Sequence, residues 1–158
     1  MKQYRIKAIE FNNRRKVFNV TVSGRAGRNY VVPYGYAKVG GLIDEVWLDR
    51  EVGNSAFGWR TRDGAVGGML AEEVLYMHRD PEVRRNHLLH KLSVRADRLR
   101  RQRNISVGVL AEMAGMTQPR VSHLLKPNEY RNKTIDTMLK LLFALGDDLD
   151  AKWLEAVA

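Results

Sequence analysis

The spacing of hydrophobic positions divides the chain into a strand-like first half and a helical second half. Short β-branched and aromatic runs, separated by polar or glycine-rich segments, predict strands in the first half. Three of these runs predict an antiparallel meander and two more predict a hairpin, at residues 4–9, 17–22, 30–34, 43–48 and 56–61. Apolar residues at helical spacing then predict one short helix over residues 70–78.

The second half opens on a helix start at residues 80–82. An acid at the N-cap is followed by a proline in the first turn and by a second acid that the helix dipole favours. A helical stripe of apolar residues then continues as far as Asn104. The pattern fits one long helix or two helices with a break at Ser93.

Further helical patterns complete the second half. Residues 106–125 predict two short helices, Thr134 caps another that ends at Gly146, and Trp153 and Leu154 anchor a last short one. From residue 92 onward this makes five helices. The predicted fold is therefore α+β, with a small N-terminal antiparallel β-rich domain that has one helix, and an all-α five-helix domain after it. The expected boundaries are 1–79 for the β-rich domain, 80–91 for a connecting helix and 92–158 for the helical domain.

Residues 106–125 carry the pattern that says most about function. Leu110 and Ala111 face inward on the first helix, and Ala111 is small enough to let a second helix approach at a steep angle. Gly115 stands where the chain must reverse, since only glycine reaches positive φ without steric cost. This is the layout of a DNA-reading helix-turn-helix.

The second of these helices has one apolar and one polar face. Thr117 is expected as its N-cap and Pro119 falls in its first turn, where the missing N–H does no harm. The apolar stripe consists of Val121, Leu124 and Leu125. The opposite face carries side chains that can hydrogen-bond base edges or phosphates, namely Gln118, Arg120, Ser122 and His123.

Length and composition limit the class of protein. A chain of 158 residues with 44% hydrophobic content can bury a hydrophobic core without the help of disulfides or metal ions. The absence of cysteine excludes disulfides and thiolate sites. No apolar run approaches the roughly 18 residues needed to cross a bilayer, and no apolar signal region follows the N-terminus. We therefore expect a cytoplasmic protein with no membrane partner.

The net charge is concentrated around the helix-turn-helix. The whole chain carries +9, and the segment from Arg84 to Lys133 contains twelve Lys or Arg against three Asp or Glu. This segment alone therefore accounts for +9, and the charges of the remaining segments cancel. A basic block centred on a groove-reading motif is expected for binding to a polyanion.

Residues 92–158 resemble the Cro/C1 (XRE-type) repressor family. The resemblance lies in the helix order, in Leu-Ala-Glu-Met-Ala-Gly-Met-Thr-Gln at 110–118 and in Ala-Leu-Gly at 144–146. Gln-Pro-Arg-Val-Ser-His-Leu-Leu at 118–125 is most similar to antitoxin-type members. The resemblance implies a sequence-specific regulator of transcription that binds a palindromic operator in double-stranded DNA as a homodimer, in the manner of an antitoxin-like autorepressor.

The resemblance also implies which residues contact DNA. Gln118 matches the family's base-reading glutamine, for which a bidentate bond to adenine is the expected chemistry, and Arg120 would take a guanine or a phosphate. The expected base-reading residues are Thr117, Gln118, Arg120, Ser122 and His123. The expected backbone contacts are the main-chain N–H of Val107, where the family often has a polar side chain, and the loop residues Lys126, Asn128, Arg131, Asn132 and Lys133.

The N-terminal part offers an alternative function. Val-Trp-Leu-Asp-Arg-Glu-Val-Gly at 46–53 and Leu-Ala-Glu-Glu-Val-Leu-Tyr at 70–76 resemble a small bacterial domain of unknown function that is a suspected partner in toxin–antitoxin pairs. The resemblance implies a protein-interaction module. Its N-terminal domain would bind and neutralise a toxin-like partner, and DNA binding would be secondary.

Other classes find less support in the sequence. No set of acids, bases or nucleophiles has the spacing of an enzyme, so we expect neither catalysis nor a cofactor. His78, His87 and His90 suggest a metal site, but their basic neighbours favour an exposed basic face, and no fourth zinc ligand is identified. The glycine-rich segment 64–68 is expected to be a turn. Tyrosines beside arginines could stack single-stranded RNA, although core packing is their commoner role; they are Tyr4, Tyr30, Tyr34 and Tyr36.

Overall fold

The structure is a computed structural model that describes residues 4–25, 28–147 and 149. It forms two compact units, one up to Val83 and one from Arg84 onward. The elements are β1 (Ile6–Asn12), β2 (Val17–Val22), β3 (Asn29–Pro33), β4 (Ile43–Leu48), β5 (Ala56–Thr61), β6 (Val66–Leu70), α1 (Ala71–Met77), α2 (Pro81–Gln102), α3 (Val107–Ala114), α4 (Gln118–Leu125) and α5 (Ile135–Ala144).

The first unit contains two antiparallel sheets of three strands each, in the orders β1-β2-β3 and β4-β5-β6. Alternate residues of β2 are buried, as expected for a strand with one face in a core. Phe18 lies at the centre of that core, with its ring centroid 5.3 Å from those of both Phe57 and Trp59. The core therefore draws on side chains from both sheets.

The sixth strand corrects the expected arrangement of a meander and a hairpin. Residues 64–68 were expected to be a turn and residue 70 the start of a helix, but β6 runs from Val66 to Leu70 and α1 begins at Ala71. Two adjacent glycines at positions 67 and 68 obscure the alternation that marks a strand. The strand forms because it pairs with β5, where Trp59 is opposite Gly67.

Two tryptophans explain why glycines occur within these strands. Trp47 of β4 is opposite Gly58 of β5, and a Cβ on Gly58 would lie 2.4 Å from the Trp47 ring. A Cβ on Gly67 would likewise lie 2.4 Å from the ring of Trp59. Each indole thus covers a glycine on the neighbouring strand, in space that any side chain would fill.

The second unit is helical, but it is not the expected five-helix domain. Its described residues, 84–147 and 149, contain α2 from Arg84 onward together with α3, α4 and α5, and the fifth helix of the described chain, α1, follows the strands of the first unit. The expected helix at Trp153 and Leu154 lies outside the described residues.

Of the two alternatives for residues 80–104, the single helix is correct. The helix α2 has 22 residues, and the carboxylate of Asp80 accepts hydrogen bonds from the N–H groups of Glu82 and Val83 at its start. Ser93 does not interrupt the helix. Its side chain is fully buried and accepts a hydrogen bond from Lys133.

The helices of the second unit enclose one apolar core. The fully buried members include Leu89, Leu92, Leu110, Val121, Leu124, Met138, Leu141 and Leu142. The guanidinium of Arg95 binds the carboxylate of Asp147 with two nitrogens and thereby ties α2 to the chain after α5. This hydrogen bonding holds the pKa of Asp147 below its usual range. Across the described part of the chain, no helix combines the length and the hydropathy that crossing a membrane would require.

Substitution of Gly67 tests the packing of tryptophan on glycine. We expect Gly67→Ala to lower the free energy of unfolding by about 1–3 kcal/mol, because the added methyl group displaces the buried Trp59 ring. Urea unfolding of the full chain, followed by tryptophan fluorescence, measures the change. Gly40→Ala is the matched control, since a Cβ there meets no atom within 4 Å. Equal effects of the two substitutions would contradict this account of the strand glycines.

Candidate nucleic-acid interface

The turn between α3 and α4 has the predicted geometry. Ser106 caps α3, with its Oγ accepting from the N–H of Val109 at 3.2 Å. Leu110 and Ala111 are buried, as predicted. Gly115 ends the helix with φ 62° and ψ 41°, in the left-handed region that favours glycine. The sequence prediction of a tight glycine turn is confirmed.

The helix α4 begins and buries its apolar face as predicted. Thr117 is its N-cap, with φ −77° and ψ 149°, and Pro119 lies in its first turn. The predicted stripe of Val121, Leu124 and Leu125 is buried. The Thr117 side chain makes no capping hydrogen bond, so it does not occupy the N–H groups at the start of the helix.

Thr117 and Gln118 form the exposed N-terminal end of α4. Gln118 lies beside the first turn of α3, because a Cβ on Gly108 would be 3.7 Å from its Oε1. Val107, the expected main-chain contact, is half-buried at the first position of α3. The beginnings of the two helices are therefore adjacent, and backbone N–H groups at the start of α3 lie near the Gln118 amide.

Two of the other expected base-reading side chains are bonded to the loop that follows α4. Nη2 of Arg120 donates to the carbonyl of Asn132 at 2.6 Å. His123 has Nδ1 at 2.9 Å from Oε2 of Glu129 and Nε2 at 2.6 Å from the carbonyl of Arg131. Ser122 is half-buried between them. The polar face that the spacing predicts is present, but two of its members have protein partners.

The loop of residues 126–133 presents several of the expected backbone contacts. Asn128, Arg131 and Asn132 are exposed. Lys126 is also exposed, and its Nζ lies 3.1 Å from Oε1 of Glu129. The hydrogen bond from Lys126, followed by that from His123, lowers the pKa of Glu129. Glu129 thus partly neutralises the loop at the end nearest α4.

Lys133 corrects the expectation for this loop. It was expected to contact a DNA phosphate, but its side chain is only 1% exposed. Its Nζ donates to Oγ of Ser93 at 2.9 Å and also to the carbonyl of Lys126. Burial is the main cause that lowers its pKa to about 8. The ammonium joins α2 to the end of α4 and is not available to a phosphate.

A basic groove that the sequence prediction did not single out adjoins the loop. It has a volume of about 410 Å³ and is lined by Val94, Asp97, Arg98, Arg101, Gln102, Leu125 and Pro127. Arg98 is exposed, and Arg101 is 72% exposed although it pairs with Asp97. The signal for it is the run of arginines from 95 to 103, at spacings that place several on one side of α2.

The structure gives less support to the tyrosines as an RNA-stacking set and to the histidines as a metal site. Tyr4, Tyr30 and Tyr34 are buried in the core of the first unit, which leaves Tyr36 as the exposed member of the set proposed to stack RNA. Among the described residues, no group of three or more His, Cys, Asp or Glu is placed to hold a metal ion. His87 has its pKa lowered by burial and then by the charges of Lys91 and His90.

Comparisons of the chain with protein-family models, with curated proteins and with solved structures found no match. The resemblance of residues 92–158 to Cro/C1 repressors thus stays a prediction.

The burial of Lys133 predicts a dependence of stability on pH. The folded pKa of about 8 lies below the value of about 10.4 for an unfolded lysine, so the unfolded chain binds more protons between these two values. Wild type should therefore gain up to about 3 kcal/mol relative to Lys133→Met as the pH rises from 8 to 10.4. Chemical denaturation of both proteins across this range measures the gain.

The comparison with Lys133→Met removes the contributions of all other titrating groups. Lys140→Met, at an exposed position on α5, is the matched control and should follow the wild type at every pH. A constant difference in stability between wild type and Lys133→Met would show that the Lys133 ammonium is not buried in solution.

Proposed function

We propose that this protein is a sequence-specific regulator that binds double-stranded DNA and reads base edges with the N-terminal end of α4. One observation carries the proposal. Thr117 and Gln118 are exposed at the start of a helix whose opposite face, with Val121 and Leu124, is fixed in the core. A helix held in this way can enter the major groove with its first residues toward the bases.

The chemistry of Gln118 suits this role. Its amide offers a donor and an acceptor together, and this pair matches N7 and N6 of adenine in the major groove. The neighbouring start of α3 supplies backbone N–H groups, and helix N-termini attract phosphates. A base contact by Gln118 and a phosphate contact at Val107 would therefore form side by side.

The loop 126–133 supports the proposal with exposed polar side chains that would position the protein on DNA. Arg131, Asn128 and Asn132 are exposed, and they can bond to phosphate oxygens without sequence preference. We further propose that the protein binds as a homodimer to a palindromic operator, with half-sites about 34 Å apart. DNA upstream of its own coding sequence is the first probe for autorepression.

Loss of the Gln118 side chain should reduce specificity. We expect Gln118→Ala to weaken binding to the operator by about 1–3 kcal/mol and to leave binding to random DNA nearly unchanged, because the amide contacts a base. Fluorescence anisotropy on the two duplexes measures both affinities. Asn29→Ala removes an exposed side-chain amide from β3 in the first unit and serves as the matched control. Equal affinity of wild type for operator and random DNA would overturn the sequence-specific function.

Loss of Arg131 should weaken binding to every sequence. A phosphate contact contributes about 0.9 to the slope of log K against log salt, so Arg131→Ala should reduce the slope by about that amount on both duplexes. Titrations at four salt concentrations measure it. Arg62→Ala removes the same charge from an exposed position in the first unit and should leave the slope unchanged. An unchanged slope in Arg131→Ala would exclude Arg131 as a phosphate contact.

A further inference from the structure

Three successive carbonyls of the loop 126–133 each accept a hydrogen bond from a different side chain. The carbonyl of Arg131 faces Nε2 of His123 at 2.6 Å. The carbonyl of Asn132 accepts from Nη2 of Arg120, also at 2.6 Å. The carbonyl of Lys133 accepts from Nη2 of Arg85, again at 2.6 Å. The first two donors belong to α4 and the third to α2.

These bonds take the place of a regular backbone ladder. The loop lies between α4 and α5 and belongs to no helix or strand. Asn132 has φ 57°, in the left-handed region that asparagine adopts more readily than other non-glycine residues. With their carbonyls bonded to side chains of α4, Arg131 and Asn132 keep exposed side chains.

His123 is fully occupied by this arrangement. Its Nδ1 faces the carboxylate of Glu129, and its Nε2 faces the carbonyl of Arg131. Each ring nitrogen therefore has a partner within the protein, and neither is left for a base edge. Arg120 is likewise directed toward the loop and not toward the exposed end of α4.

We propose that Arg120 and His123 are positioning residues that hold the loop 126–133 in the conformation that binds DNA phosphates. They do not read bases, which differs from the role expected for them from the sequence. This inference rests on the proposed function. Of the five expected base-reading residues it retains Thr117, Gln118 and Ser122, and it makes the contacts of Arg131 depend on Arg120.

A double-mutant cycle on the full chain tests this dependence. The probes are a duplex enriched by the wild type from a random library and a random duplex of the same length. Arg120→Ala and Arg131→Ala should each weaken binding to both probes about tenfold at 0.1 M salt, and each should lower the salt slope by about 0.9. If Arg120 acts through Arg131, the double variant should be no more than about twofold weaker than Arg131→Ala.

A conservative variant separates positioning from reading. Lysine retains the positive charge and has three N–H donors, of which one suffices for the single bond to the Asn132 carbonyl, so Arg120→Lys should keep wild-type affinity and base preference. Hydrogen exchange without DNA supplies a second readout. Amides of residues 126–133 should exchange faster in Arg120→Ala than in wild type and at the wild-type rate in Arg120→Lys.

The outcomes distinguish this inference from the proposed function. Additive losses in the cycle, an altered preference at a single base pair in Arg120→Lys, or unchanged exchange in Arg120→Ala would each overturn the positioning role and leave the DNA-binding function intact. Failure of the wild type to bind either duplex would overturn the proposed function and this inference together.

Discussion

The proposed DNA-reading surface depends on the burial of three side chains from one short helix. The helix α4 has eight residues, and an isolated helix of that length is not stable in water. Its position comes from Val121, Leu124 and Leu125, which are buried in the core of the second unit. Each buried side chain of this kind contributes about 1.5–3 kcal/mol. The position of Thr117 and Gln118 at the exposed start of α4 therefore depends on the packing of these three side chains.

A second constraint holds the loop after α4, and it is polar. The Lys133 ammonium is buried beneath the loop with acceptors from Ser93 and Lys126, because an unpaired buried ammonium would be far less stable. Arg85 and Arg120 bond the carbonyls at the far end of the same loop. Apolar packing thus holds α4 in position, whereas hydrogen bonds from cationic side chains hold the loop 126–133 that follows it.

The sequence predicted those features whose cause is local. Gly115 and the stripe of α4 follow from backbone sterics and helical spacing, and the structure has both. The strand β6 was missed because its Gly67 is explained by Trp59 on the neighbouring strand, which no single-strand pattern reveals. Lys133 was expected at the surface because it ends a polar run, and the partner that buries it, Ser93, is forty residues away in the chain.

The charged side chains of the second unit differ in whether they bond within the protein or are exposed. Arginines and lysines that bond neutral carbonyls keep their charge, so Arg85 and Arg120 still contribute to the field that attracts a polyanion from a distance. Direct contact with phosphate requires an exposed side chain, and in the loop Arg131 meets this condition whereas Lys133 does not. For the proposed DNA complex, the net charge of +9 therefore describes the long-range attraction and not the number of phosphate contacts. If the proposed function is correct, different residues of one basic segment set the long-range attraction of DNA and the short-range contacts with it.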